Sequence, residues 1–117
     1  MTTITPKSLR FSLEEVLAGM LATLEGDHFS DDTAALAASF ETLASQFTLF
    51  APFAGAVAPD AVGKAFGSLE AKSHLGREPG KYVLTAEGRV HCISTKRTLF
   101  NRADCEQLEA ATHIFQA

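Results

Sequence analysis

The residues able to do chemistry are few and scattered. The densest polar run is Glu25-Gly26-Asp27-His28-Phe29-Ser30-Asp31-Asp32. Oxygen donors crowded on a turn suit Ca²⁺ or Mg²⁺, and His28 could add a transition-metal ligand. The spacing matches neither the EF-hand loop nor HExxH nor a facial triad, whereas helix caps and solvated turn positions use the same letters. No metal is therefore expected. His91 and Cys92 are neighbours, and on a strand neighbours point to opposite faces, so they do not converge on one ion. Cys105 stands one turn into a helix beside Arg102, where a thiol can become nucleophilic with His91 or His113 as base. It also falls on the apolar stripe of that helix, where a thiol is buried and inert. Ser94-Thr95-Lys96-Arg97-Thr98 could cradle a phosphate or serve as a solvated turn. There is no G-x-S-x-G, P-loop or GxGxxG. The expectation is a non-enzymatic protein without a cofactor.

The elements that must position these residues follow from spacing. Ser12 and Glu15 match a capping box, and Phe11 with Val16 has the spacing of a hydrophobic staple, so a helix is expected from there to about Glu25. Gly26 ends it. Ser30 or Asp31 starts a second helix, whose stripe of Leu36, Phe40, Leu43, Phe47 and Phe50 runs to Pro52. Pro59-Asp60 opens a third, with Val62, Phe66 and Leu69 inward and Gly63 and Gly67 weakening it by about 1 kcal/mol each. Gly76, Pro79 and Gly80 mark Ser73 to Gly80 as a loop. Lys81 to Thr85 and Arg89 to Thr95 then read as a hairpin around Ala86-Glu87-Gly88, with Arg97 to Phe100 as an optional third strand. Asn101 and Asp104 cap a last helix carrying Cys105, Leu108, Thr112 and Phe115 inward. The fold class is α+β: three N-terminal helices, a β-hairpin and a C-terminal helix.

Size and charge bound the rest. The 117 residues suit a single domain, with 1–10 as a flexible arm, and 46% of them are hydrophobic, nine being Phe. A chain of this size buries roughly two-thirds of its unfolded surface and needs no disulfide or structural metal. Two cysteines thirteen apart fit a reducing cytoplasm, and no stretch reads as a membrane span or signal peptide. The net charge of −4 is divided unevenly. Between Phe11 and Gly63 lie eight acidic residues and no Lys or Arg, while Lys64 to Arg102 holds eight basic residues and three Glu. Such halves attract each other within a monomer or across a dimer, or the basic one meets an anion.

The uncharged segment between the halves carries Phe47, Leu49, Phe50, Phe53 and Val57. One helix face cannot bury all five, so the segment is expected to be an interface with a second copy or another protein. The alternative cover is the chain's own third helix and hairpin.

One stretch, Tyr82-Val-Leu-Thr-Ala-Glu-Gly-Arg89, resembles the Tyr-x-Leu-Thr-x-x-Gly-Arg segment of the wing in bacterial winged-helix regulators. The resemblance implies a nucleic-acid binder using the 81–97 hairpin as wing, with Arg89, Lys96, Arg97 and Arg102 available to phosphates. The helix in recognition position holds one cation, Lys64, and lacks the Arg, Asn or Gln that read base edges. The leading expectation is a self-associating interaction domain, ahead of nucleic acid; a small-molecule binder or small enzyme is the remaining alternative.

Overall fold

Ser12 accepts from the Glu15 amide and Glu15 returns the bond to Ser12, closing the expected capping box and starting α1 (Leu13–Leu21). The computed structural model describes residues 11–55 and 57–115, so the arm expected at 1–10 lies outside the described residues. The helix stops at Leu21, short of Glu25, because Thr23 and Leu24 turn back onto the Met20 and Leu21 carbonyls. The Thr23 hydroxyl also bonds the Met20 carbonyl and the Thr112 hydroxyl.

The polar run Glu25 to Asp32 contains a strand, β1 (His28–Ser30), whose Phe29 is buried. Asp32 caps α2 (Thr33–Gln46), which buries Leu36, Phe40 and Leu43. The stripe continues in sequence to Phe50, but the helix does not: Phe47 is extended at φ −126°. A turn and a short 3-10 helix (Ala51–Phe53) follow. Gln107 fastens this bend by accepting from the Leu49 amide at 2.8 Å. Pro59 opens α3 (Pro59–Ala71), with Val62, Phe66 and Leu69 buried as the spacing predicts.

The hairpin lies earlier than expected, its turn at Pro79-Gly80 rather than at Ala86-Glu87-Gly88. It joins β2 (Leu75–Glu78) to β3 (Lys81–Leu84), with Glu78 opposite Lys81. Pro79-Gly80 forms its turn, with Gly80 at φ 77°. β1 pairs with the other edge of β3, giving an antiparallel sheet in the order β1-β3-β2. Its inner face carries Phe29 and Tyr82 onto Phe66 of α3, at ring distances of 5.3 and 4.9 Å.

The second expected strand, Arg89 to Thr95, is the middle of a helix, α4 (Ala86–Leu99). Thr85 is its N-cap, accepting from the Gly88 amide at 2.9 Å, Glu87 lies in the first turn, and Lys96 and Arg97 lie in the last. Each feature favours a helix. Ala86-Glu87-Gly88 is thus a helix start rather than a turn, the optional strand at 97–100 is absent, and no wing exists over 81–97. Asn101 and Asp104 close the second expected capping box at α5 (Arg102–Ala111), and a 3-10 turn (Thr112–Phe115) brings Phe115 onto Phe29 at 5.0 Å. The fold is α+β, 64% helical with five helices and three strands among the described residues. No described helix is long and apolar enough to cross a membrane.

Candidate functional site

The five residues expected at an interface sit mostly inside. Leu49, Phe50, Phe53 and Val57 belong to the chain's own core, with Phe50 fully buried, and Phe47 packs half-buried against Phe50 at 6.0 Å. The physical reason is the bend after Gln46. A straight helix would turn Leu49 away from Phe50, whereas the bent chain directs both inward. The apolar surplus in this segment is absorbed within the monomer.

Of the expected anion-binding cations Arg89 and Lys96 are engaged, whereas Arg97 and Arg102 stand in solvent. Arg89 bonds the Leu24 and Gly26 carbonyls and pairs with Asp27, tying α4 to the end of α1. Lys96 faces Glu109 at 3.7 Å and Arg102 faces Glu106 at 3.9 Å. Lys72–Glu14 at 2.9 Å and Arg77–Asp31 at 3.2 Å also join the basic half to the acidic one. Three of the eight basic residues, Lys72, Arg77 and Arg89, thus bridge to the acidic half. Arg97 alone of the four is exposed without an ion-pair partner among the described residues.

Burial pushes the Cys92 thiol up to about 12, and Arg89 offsets this only in part. Cys105 is half-buried, its Sγ 3.8 Å from the Phe100 carbonyl. Among the described residues no group of three or more His, Cys, Asp or Glu could hold a metal.

What remains is α4 as a helix, a form in which no sequence expectation placed its residues. Its seat is the turn at Ser73-His74, with Ser73 at φ 65°. The Thr85 hydroxyl donates to the Ser73 and His74 carbonyls, and the Thr85 amide reaches the His74 carbonyl at 3.2 Å. Gly88 lies so close that a Cβ there would fall 1.9 Å from the His74 oxygen. His91, one turn on, stacks flat on His74, with ring centroids 4.1 Å apart and planes 16° apart.

The two histidines stand between two hollows. On one side a cleft of about 290 Å³ brings Glu14, Lys72, His91 and Thr95 together. Burial acts to raise the Glu14 carboxyl, but hydrogen bonds from Lys72 and Ser68 and the Lys72 charge outweigh it, so the group is lowered. Burial first, then the His74 ring and the Lys72 charge, lowers His91, with Glu14 opposing. A carboxylate, an imidazole and a hydroxyl share this cleft, and among the described residues no hydrogen bond joins the His91 ring to Glu14 or Thr95. On the other side an open groove of about 580 Å³ runs along His74, His91, Glu87, Ala86, Val90 and Ser94.

Beyond the groove, the outward face of α4 sets Val90 and Ile93 among Ser94, Arg97 and Thr98. Val90 is 69% exposed and Ile93 38%; with Leu99, they are the large hydrophobic side chains most exposed among the described residues. Ala86, Val90, Ile93 and Arg97 follow one another at steps of four, three and four along the helix. That is the spacing of a helix-pairing seam. Leu99 falls outside this row and borders the cleft. In comparisons with protein-family models, curated proteins and solved structures, the chain matches none.

Proposed function

We propose that the protein is a non-enzymatic interaction domain that pairs with a second copy of itself through the outward face of α4. The observation that carries this reading is the exposed seam Ala86-Val90-Ile93-Arg97, flanked by Glu87. Two such helices laid antiparallel about a two-fold axis near Cys92 place Val90 of one copy against Ile93 of the other. The same operation places Arg97 beside Ala86 and Glu87 of the second copy. Ala86 is small enough to let the Arg97 side chain pass over it to that carboxylate, and neither charge has an ion-pair partner within its own chain among the described residues. A surface whose ends complement each other under a two-fold is what an isologous contact requires.

The seam is only about three turns long, so the contact is small and the pairing weak, with a dissociation constant on the order of 100 μM. Sedimentation equilibrium at several protein concentrations tests it. The unaltered chain associates reversibly, and Val90→Glu with Ile93→Glu is monomeric with its melting temperature unchanged. A strictly monomeric unaltered chain at several hundred micromolar, or a double variant that associates equally well, contradicts the reading.

A further inference from the structure

We propose that the His74–His91 stack is a proton-operated latch on α4, closed while the His91 ring is neutral and released on acidification. This rests on the pairing role of α4 and adds its regulation. The latch sits where α4 is held most tightly. Within one helical turn the Thr85 cap grips the Ser73 and His74 carbonyls, Gly88 presses on the His74 backbone, and the two rings lie face to face at 4.1 Å. Along its fourteen residues α4 buries only Gly88 and Cys92, lies along α1, and is tied to the end of α1 by Arg89. A change at the stack therefore acts on the N-terminal turns of α4, which carry Glu87 and Val90.

The charges around the stack decide the direction of its response. From α1, Glu14 and Glu15 face His91 across the cleft. From the end of α3, Lys72 faces it as well, and the Lys72 ammonium already holds Glu14 at 2.9 Å. Much of the carboxylate that would welcome an imidazolium is thus taken by a cation. Glu87, on the groove side, is exposed and in water. The His74 Nδ1 is buried with no hydrogen-bond partner among the described residues, so the stack has no polar group to rearrange onto. A charge gained by the His91 ring would lie flat against the His74 ring at 4.1 Å. The lowered His91 has the matching sign: the neutral form is favoured by the folded state, and protons drive α4 off its seat. The exposed histidines His28 and His113 lie elsewhere and touch neither ring.

Two readouts on the full chain, at pH 7.5 and pH 5.5, separate the latch from the pairing. Amide hydrogen exchange over 88–94, corrected for the intrinsic rate at each pH, reports the seating of α4. Sedimentation equilibrium reports the pairing. Exchange protection of α4 falls several-fold at pH 5.5 in the unaltered chain, and the dissociation constant rises several-fold with it. His91→Phe keeps a flat ring against His74 without a titratable nitrogen and loses both effects. Lys72→Gln, an exposed change that removes one facing cation, moves the transition to higher pH. Equal loss of protection in the unaltered chain and His91→Phe, or no loss in either, overturns the latch. A chain monomeric at pH 7.5 removes the pairing on which the regulation rests, while exchange still decides the latch itself.

Discussion

Replacing Gly88 by Ala tests how α4 is seated. In an exposed helix interior this change stabilises by about 1 kcal/mol, because Ala loses less backbone entropy. Here the new Cβ would lie 1.9 Å from the His74 oxygen, 2.7 Å from its carbonyl carbon and 3.0 Å from its Cα. A carbon and a carbonyl oxygen settle at about 3.3 Å, so backbone must retreat by more than about 1 Å. The same oxygen accepts from the Thr85 amide at 3.2 Å and the Thr85 hydroxyl at 3.1 Å, so that retreat strains both bonds. Two weakened hydrogen bonds at about 1 kcal/mol each, with about 2 kcal/mol of overpacking, less the propensity gain, leave a net loss of about 3 kcal/mol. For a chain of this length that lowers the melting temperature by roughly 12 °C. Thermal and urea unfolding followed by circular dichroism read both quantities. A Gly88→Ala chain that melts at or above the unaltered temperature refutes the packing of α4 against the Ser73-His74 turn.

Gly63→Ala and Gly67→Ala are the matched controls, since a Cβ at either meets nothing within 4 Å; each raises stability by roughly 0.5–1 kcal/mol in the same unfolding experiment. Asp104→Ala removes one arm of the α5 capping box and costs about 1 kcal/mol, read from the urea midpoint at constant slope. Timed thiol labelling modifies Cys105 in the native protein, while Cys92, fully buried and pushed up to about 12, reacts only on unfolding. Stability falls on acidification in two limbs. One begins as the pH drops below the ordinary His91 value of 6.5 and the other below the ordinary Glu14 value of 4.5, because both groups are lowered and the unfolded chain binds the proton first. Melting curves across pH detect both limbs, and His91→Phe removes the upper one.

The parts of the fold that were legible rest on local, reciprocal chemistry. Ser12 with Glu15, Asn101 with Asp104 and Pro59 each define a helix start through bonds made within a few residues. The stripe Val62, Phe66, Leu69 marks an inner face that tertiary packing leaves intact. The error at 86–99 has an equally local cause. Arg89-Val-His-Cys-Ile93 alternates as a strand does, while the helical inner face holds only a glycine and a cysteine as buried residues, too little for a 3.6-residue period to stand out. The Thr85 cap, with Glu87 after it and cations at the far end, was the signal available. Pro79-Gly80 was visible as a breaker, but its use as the hairpin turn depends on β1, a three-residue strand hidden in a polar run. The Phe-rich segment illustrates a different limit. Whether Leu49 and Phe50 face the core depends on a bend held by Gln107, 58 residues away, and no local pattern reports that contact. The candidate face itself was hidden by the same misreading, because Val90 and Ile93 share a face only on a helix.

The antiparallel pairing of α4 is tested most directly by exchanging its end charges and measuring association by sedimentation equilibrium at low salt. Glu87→Lys and Arg97→Glu each place like charges opposite one another and weaken association, while the chain carrying both restores the opposite-charge pairs and associates about as well as the unaltered protein. Association unmoved by either single change, or a double variant no better than the singles, contradicts the antiparallel pairing of α4.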